Sequence, residues 1–203
     1  MTNPTKPQPQ PGTLFTVGIN SSPSERPIST LDHVKAVWSR IRPHSAIYNI
    51  FLSGVRLVSA SPEGRILAHL DLLPVHLNSK RILHGAVSAT LCDWAGGMAI
   101  AAATGLAQTG VSTDMHLSYV STAGEGDTLE IEAWVTRAGR NLGFTRCEIR
   151  KGVTTTATSA TPGADGRKKG PVVAEGSHTK YLSFGQVTGG WKKLEGKEGK
   201  GAE

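Results

Sequence analysis

A short polar segment and the apolar run after it hold the residues whose types and spacing could do chemistry. Asn78 lies six residues before the pair His84-Gly85, and Asp93 lies nine residues after His84. A backbone N–H in the first turn of a helix is unpaired and sits at the positive end of the helix dipole. Gly85 has no side chain to block a substrate carbonyl, and the Asn78 amide could supply a second donor. Together the two residues would form an oxyanion hole.

Asp93 is a carboxylate inside a mostly apolar run of helical length. Burying a carboxylate without a partner costs several kcal/mol, so Asp93 either faces water or has a function, and both readings stay open. On a helix it shares a face with Ala86, Thr90 and Gly97, which are small enough to let another backbone come close. As a general base, Asp93 would need a pKa raised toward neutrality by burial.

The elements that must position these residues can be predicted from periodicity and turn signals. We expect a short helix over residues 30–42, strands over 47–60 and 65–75, and a buried helix over 84–103. Strands are predicted at 111–120, 128–137, 142–151 and 172–184, with a turn-rich insertion at 158–171. The simplest packing of these elements in this order is one antiparallel sheet wrapped around one buried helix, which is an α+β fold.

Composition bounds the domain and its setting. We predict one domain over residues 28–184, with disordered tails at 1–27 and 185–203. The net charge of +6 is scattered and lacks an aromatic-rich basic motif, so nucleic acid is not an expected partner. Cys92 and Cys147 lack metal or redox spacing, and no run suits a membrane span. We expect reduced thiols and an intracellular, cytoplasmic setting, with the mitochondrion as the alternative.

Metal chemistry is not expected. His69 and His76 have no Cys, His or carboxylate at a supporting spacing.

Several motifs resemble the signature of the hotdog-fold acyl-CoA thioesterases, in their phenylacetate-type branch. They are Asn78, His84-Gly85, Asp93, the strand Gly110-Val111-Ser112-Thr113-Asp114-Met115 and the closing Ser177-His178-Thr179-Lys180-Tyr181-Leu182. The similarity spans about residues 30–184. One departure is Ala86, because the family usually has a second Gly there. Ala keeps the N–H and would narrow the acyl pocket, unless the position requires a positive φ.

The resemblance implies a hotdog fold and the hydrolysis of an acyl-CoA to free acid and CoA. It assigns the oxyanion hole to Gly85 and Asn78. Asp93 could act as general base or as nucleophile, and the resemblance favours the base, with Ser112 helping to hold the water. His84 would orient the site or the leaving thiol. Asp93 and Ser112 would reach the site from the partner subunit. No cofactor is implied, since coenzyme A is part of the substrate.

The resemblance also suggests, from their positions in the chain, which residues would bind the nucleotide of coenzyme A. They are Tyr119, Ser121, Arg137, Arg140, Asn141 and Tyr181, and the two arginines would contact phosphate. The family assembles as homodimers or as tetramers made of two dimers. Two alternatives stay open: a non-catalytic acyl-CoA-binding protein, and a dehydratase or hydratase of the same fold, which would use a catalytic His at a different spacing.

Overall fold

A six-stranded antiparallel sheet wraps around one long helix in the computed structural model, which describes residues 28–152, 161–162 and 168–182. The helices are α1 (Thr30–Ile41), α2 (Ala46–Phe51) and α3 (Gly85–Thr104), with 3₁₀ turns at Arg42–His44 and Pro74–His76. The sheet strands are β1 (Arg56–Ser61), β2 (Arg65–Asp71), β3 (Val111–Tyr119), β4 (Thr128–Ala138), β5 (Leu142–Lys151) and β8 (Val172–Tyr181). A two-stranded pair, β6 (Thr161–Pro162) and β7 (Lys168–Lys169), lies between β5 and β8 in the chain. The predicted α+β hotdog fold is confirmed.

Helix α3 is the core of the molecule. Its caps explain its bounds, since the His84 side chain accepts from the N–H of Ala86 and Gly105 ends the helix in the left-handed conformation with φ 65°. Apolar residues are buried all round it, as expected for a helix enclosed by a sheet. By length and hydropathy alone α3 would suit a membrane span, but 72% of that window is buried within the fold, as in the core helix of a globular domain.

Close approach explains the two adjacent glycines of α3, Gly96 and Gly97. A Cβ on Gly96 would stand 2.8 Å from the Thr145 hydroxyl oxygen and 3.2 Å from Nδ1 of His178. A Cβ on Gly97 would stand 3.0 Å from Cβ of Thr109. The helix can therefore lie this close to the sheet at Gly96, and to the loop before β3 at Gly97, because these side chains are missing.

The strands are arranged in the order β1-β2-β4-β5-β8-β3. Alternate residues of β2 and β4, such as Ile66, Leu70 and Ile131, are fully buried on the face toward α3. Strand β3 is an edge strand that pairs with β8 alone within the described part of the chain. Its outer residues include Val111 and Tyr119, which are 67% and 60% exposed.

One element differs from the prediction. Residues 47–51 were expected to begin a strand, but they lie in helix α2, and the strand begins only at Arg56. The reason is local, because the Ser45 side chain caps the helix by accepting from the N–H of Tyr48. An apolar run this short fits a strand or a helix equally well until its cap is recognised. The other predicted elements are found within a few residues of their expected bounds, except where 172–184 runs past the described residues.

Three further expectations concern the ends, the insertion and the cysteines. Both predicted tails and most of the insertion at 158–171 fall outside the described residues. Cys92 and Cys147 are free and buried.

Candidate active site

The Asp93 carboxylate is held by three side chains from three elements. Lys180 on β8 donates from Nζ to Oδ1 at 2.8 Å, and the Ser112 hydroxyl on β3 donates to the same oxygen at 2.9 Å. The Tyr48 hydroxyl on α2 donates to Oδ2 at 2.9 Å. Lys180 Nζ also lies 3.2 Å from the Ser112 hydroxyl oxygen, which closes the network. Asp93 nevertheless remains 29% exposed, so a small molecule can reach it.

This network changes the expected acidity of Asp93. Burial acts to raise the pKa of the carboxyl, as predicted, but it is outweighed by the Lys180 charge and by the hydrogen bonds from Lys180, Tyr48 and Ser112. The net result is a pKa below the usual value of an Asp, so the expectation of a raised pKa was wrong. Asp93 is therefore an ionised carboxylate at neutral pH, ready to accept a proton but weakly basic.

His178 is a second buried polar group beside Asp93. Its Nε2 lies 3.7 Å from Oδ1 of Asp93, too far for a hydrogen bond. Neither ring nitrogen has a hydrogen-bond partner among the described residues. Burial and the Lys180 charge lower the pKa of His178 to about 4, so the ring is neutral at pH 7.

Lys180, Tyr48 and His178 received no role from the sequence. Lys180 and His178 belong to the closing motif that had been singled out, but nothing in that motif shows that they face Asp93. Tyr48 is 45 residues from Asp93 and lay in a segment predicted to be a strand, so no sequence signal connected the two.

Gly85 begins α3, as predicted, and its N–H has no hydrogen-bond acceptor within the described residues. The Tyr119 ring lies over this residue: a Cβ on Gly85 would be 3.2 Å from the ring, and the Tyr119 hydroxyl donates to the Gly85 carbonyl at 3.3 Å. His84 is exposed and uses Nδ1 to cap the N–H of Ala86 at 3.0 Å. The outward-facing donor at the start of the helix is therefore Gly85.

Asn78 has a structural role through its side-chain oxygen, and its amide NH₂ has no acceptor among the described residues. Its side-chain oxygen accepts from the N–H of Lys80 at 2.9 Å and from that of Ile82 at 3.4 Å, which shapes the turn before α3. Arg81 completes this turn with a positive φ of 61°. Because the oxygen faces the turn, the NH₂ group faces away from it and can donate to a ligand.

Ala86 fits its position without backbone strain. Among the described residues Arg81 is the one non-glycine residue with positive φ, so the position of Ala86 does not demand a glycine.

The predicted site residues fall into two groups at opposite ends of β3. The Gly85 group lies near Tyr119 and comprises Asn78, His84, Gly85, Tyr119 and Ser121. The Asp93 group lies near Val111 and comprises Asp93, Ser112, Arg137, Arg140, Asn141 and Tyr181. Tyr181 pairs with Val111, and Asn141 accepts from the N–H of Leu182, which places the β4–β5 hairpin at this end.

The two groups are too far apart to act on one bond within one chain. Gly85 and Asp93 are eight residues apart on a continuous helix, a rise of about 12 Å along its axis. A thioester carbonyl bound at Gly85 would therefore be out of reach of the Asp93 carboxylate of the same chain.

The histidines considered as metal ligands are engaged elsewhere. His76 is buried and accepts from the N–H of Leu73 through Nδ1 at 2.9 Å, and His69 lies 3.9 Å from Glu130. No group of three or more His, Cys, Asp or Glu suited to a metal occurs among the residues that the structure describes.

Comparisons with known proteins agree with this architecture. The thioesterase superfamily model matches residues 81–158, which include Gly85, Asp93 and Ser112. Human acyl-coenzyme A thioesterase 13 is 34% identical over 131 residues, which are 64% of this chain and 81% of that protein.

Two crystal structures extend the likeness to the fold. The zebrafish thioesterase superfamily member 2 is 31% identical with a TM-score of 0.60, over 76% of this chain and 99% of that one. The Mus musculus thioesterase superfamily member 2 is 27% identical with a TM-score of 0.57, over 75% of this chain and 96% of that one. The sheet wrapped on α3, the placing of Gly85 and Asp93 on that helix, and these likenesses agree: the chain belongs to the thioesterase superfamily.

Proposed function

We propose that the protein is an acyl-CoA thioesterase, which hydrolyses an acyl-CoA to the free acid and CoA. The observation that carries this proposal is the pair of groups on α3. An unpaired N–H at the helix start can bind an oxyanion, and an ionised, partly exposed carboxylate can accept a proton from water. Similarity to proteins named acyl-coenzyme A thioesterase 13 supports the substrate class.

The reaction assigns one step to each group. Water attacks the thioester carbonyl carbon while Asp93 accepts its proton. The oxyanion that forms receives hydrogen bonds from the Gly85 N–H and the Asn78 amide. The carbon–sulfur bond then breaks, and the thiolate leaves on the His84 side. The low pKa of Asp93 keeps it in the ionised form that the first step needs.

A homodimer formed through β3 would bring the two groups together. Edge strands expose unpaired N–H and C=O groups that can pair with another strand. Suppose that two copies of β3 pair antiparallel, with Met115 at the two-fold axis. Val111 and Tyr119 are each four residues from Met115, so Val111 of one chain then lies opposite Tyr119 of the other. The Asp93 group of one subunit then lies beside the Gly85 group of its partner. Two equivalent complete sites result, one at each end of the interface.

The nucleotide part of the substrate has a basic candidate surface. Arg137 and Arg140 are exposed at the β4–β5 hairpin, at the end of the sheet that carries Tyr181 and Lys180, the partner of Asp93. Arginine pairs well with phosphate, so these residues would bind the charged end of CoA. Tyr119 and Ser121 would contribute from the partner's Gly85 group.

The first test measures thiol release from a panel of acyl-CoAs by the wild type, Asp93→Asn and the double variant Asp93→Asn/Lys180→Met. We expect Asp93→Asn to lower kcat roughly 10²- to 10⁴-fold, since it keeps the shape but removes the proton acceptor. It also leaves the Lys180 charge buried without a partner, a cost of about 3–5 kcal/mol. The double variant should regain stability and stay inactive.

The outcomes separate the competing functions. A stable double variant without activity assigns the loss to chemistry rather than to folding. Activity of Asp93→Asn within a few-fold of wild type would show that Asp93 is not the base. Tight acyl-CoA binding without turnover by the wild type would identify a non-catalytic binding protein instead.

A further inference from the structure

The hydrogen bonds to Asp93 distinguish its two oxygens. Among the residues that the structure describes, Oδ1 accepts from both Lys180 and Ser112, whereas Oδ2 accepts from Tyr48 alone. An ionised carboxylate has about four lone-pair positions. With two donors on Oδ1 and one on Oδ2, the free position is on Oδ2.

We propose that Oδ2 is the oxygen that takes the proton from water, that the Tyr48 hydroxyl binds the same water, and that Lys180 is a positioning residue that holds Oδ1. This proposal rests on the proposed function, because it assigns parts to the base of that reaction. A water that donates to Oδ2 lies next to the Tyr48 oxygen, which has lone pairs to accept the second water proton. Asp93 and Tyr48 together would orient the water for attack.

Tyr48 is built for a fixed position and a constant protonation state. Its ring is half-buried and packs edge-on against Trp38, with ring centroids 5.6 Å apart. Burial, followed by the Asp93 charge and its hydrogen bond, raises the pKa of the Tyr48 phenol well above its ordinary value. The hydroxyl therefore stays protonated and keeps donating to Oδ2 throughout the pH range of an assay.

Ser112, which the sequence suggested as the water-binding hydroxyl, is occupied at Oδ1. Its proton goes to Asp93, and one lone pair accepts from Lys180. Lys180 is 5% exposed in its side chain, so its position is set by packing as well as by charge. Ser112 and Lys180 thus fix the carboxylate in place, and the open side of the carboxylate is at Tyr48.

The ionisable and polar groups that face Asp93 define the pH test. They are Tyr48 on α2, Ser112 on β3, and His178 and Lys180 on β8. The hydrogen bonds from Tyr48 and Lys180 both lower the pKa of Asp93. Removing either one should therefore move the acidic limb of the kcat profile to higher pH, and Lys180 should move it further because it also contributes a charge.

The experiment measures kcat, KM and the pH profile of Tyr48→Phe, Lys180→Met and Lys180→Arg with one acyl-CoA. For Tyr48→Phe we expect kcat to fall roughly 10- to 100-fold with KM within about threefold, the effect of one hydrogen bond to a charged group. Lys180→Met should lower kcat and shift the acidic limb upward. Lys180→Arg should keep the limb near that of wild type, because it keeps the charge.

A matched control removes another lysine that is paired with an aspartate. Lys151 Nζ lies 2.9 Å from Oδ2 of Asp127, outside the groups assigned to the site. Lys151→Met should leave kcat, KM and the acidic limb unchanged. If Lys180→Met does not fold, the kcat and pH profile of Tyr48→Phe test the proposal. This variant should fold, because it keeps the ring that packs against Trp38.

Failure of this inference and failure of the proposed function look different. A Tyr48→Phe protein with wild-type kcat and an unmoved limb, alongside an inactive Asp93→Asn, would overturn the role of Tyr48 and leave the thioesterase intact. An active Asp93→Asn would overturn both.

Discussion

Three side chains donate to the Asp93 carboxylate, and each has a different consequence. Lys180 supplies the charge that keeps the carboxylate ionised, Ser112 ties the same oxygen to the edge strand, and Tyr48 connects the other oxygen to α2. The ion pair also couples the site to stability. Lys180 is buried and has Asp93 as its one carboxylate partner among the described residues, so any change that neutralises Asp93 leaves a buried charge unpaired.

The coupling predicts how stability depends on pH. A group whose folded pKa is lowered adds stability above its unfolded pKa, and this stability is lost as the pH falls through the folded pKa. The test compares the unfolding free energy of the wild type with that of Asp93→Asn/Lys180→Met in urea at several pH values. Below about pH 4 the wild type should lose stability relative to the double variant. A difference that stays constant from pH 6 to pH 3 would show that the pair does not titrate as described.

Helix α3 fills the core, and it also carries residues of both groups, Gly85 and Asp93, at different positions along its length. Its first residue offers the Gly85 N–H, and its middle offers Asp93. Gly96 lets β5 and β8 come close to the helix, and His178 and Lys180 of β8 lie beside the carboxylate. The packing of the helix and the geometry of the site therefore depend on the same small residues.

Gly96→Ala tests this dependence. The added methyl would stand 2.8 Å from the Thr145 hydroxyl oxygen, so we expect a loss of roughly 1–3 kcal/mol of unfolding free energy despite the better helix propensity of Ala. Denaturant unfolding measures the loss. Gly54→Ala is the control, because the nearest atom to its Cβ lies 3.6 Å away, an ordinary contact.

A companion variant identifies the cause of that loss. Thr145→Ala removes the atom that the new methyl would meet, so Gly96→Ala/Thr145→Ala should be more stable than the sum of the two single changes predicts. Strict additivity would show that the strain at Gly96 has another source.

At the scale of the whole molecule, one chain would contribute to two different sites in the proposed dimer. The Gly85 group and the Asp93 group lie at opposite ends of β3, and the edge of β3 is free within the described part of the chain. A two-fold pairing through this edge is the simplest arrangement that joins them. Oligomerisation would then be a requirement for activity rather than a gain in stability alone.

Complementation between inactive subunits tests the shared site. Asn78→Asp suits this purpose better than Ala, because it removes the amide donor and keeps the oxygen that caps Lys80 and Ile82. When Asn78→Asp and Asp93→Asn chains are coexpressed equally, half of the dimers are mixed, and each mixed dimer has one intact site. About a quarter of all sites should be active.

The control is each variant expressed alone, which should be inactive. If coexpressed chains form proven heterodimers and stay as inactive as the single variants, each site is built within one chain and the two-fold arrangement is wrong.

The sequence by itself determined the fold and most of the residues that form the two groups. The apolar run of α3, the alternation in the strands and the turn residues between them predicted one sheet around one helix, because burial periodicity and turn chemistry are local properties. A local interaction also explains the wrong prediction at residues 47–51, because the Ser45 side chain caps this segment as a helix. The spacing of Asn78, Gly85 and Asp93 was visible in the sequence because it lies within one turn and one helix.

Only the tertiary structure decided what surrounds Asp93 and which residues can act together. Tyr48, Ser112 and Lys180 come from three different elements, so their convergence depends on how the sheet closes on α3. The pKa of Asp93 depends on this convergence, which is why burial alone predicted the wrong direction. The division of the site into two groups likewise follows from the rise of a straight helix and the length of β3, distances that residue spacing does not show until the elements are placed in space.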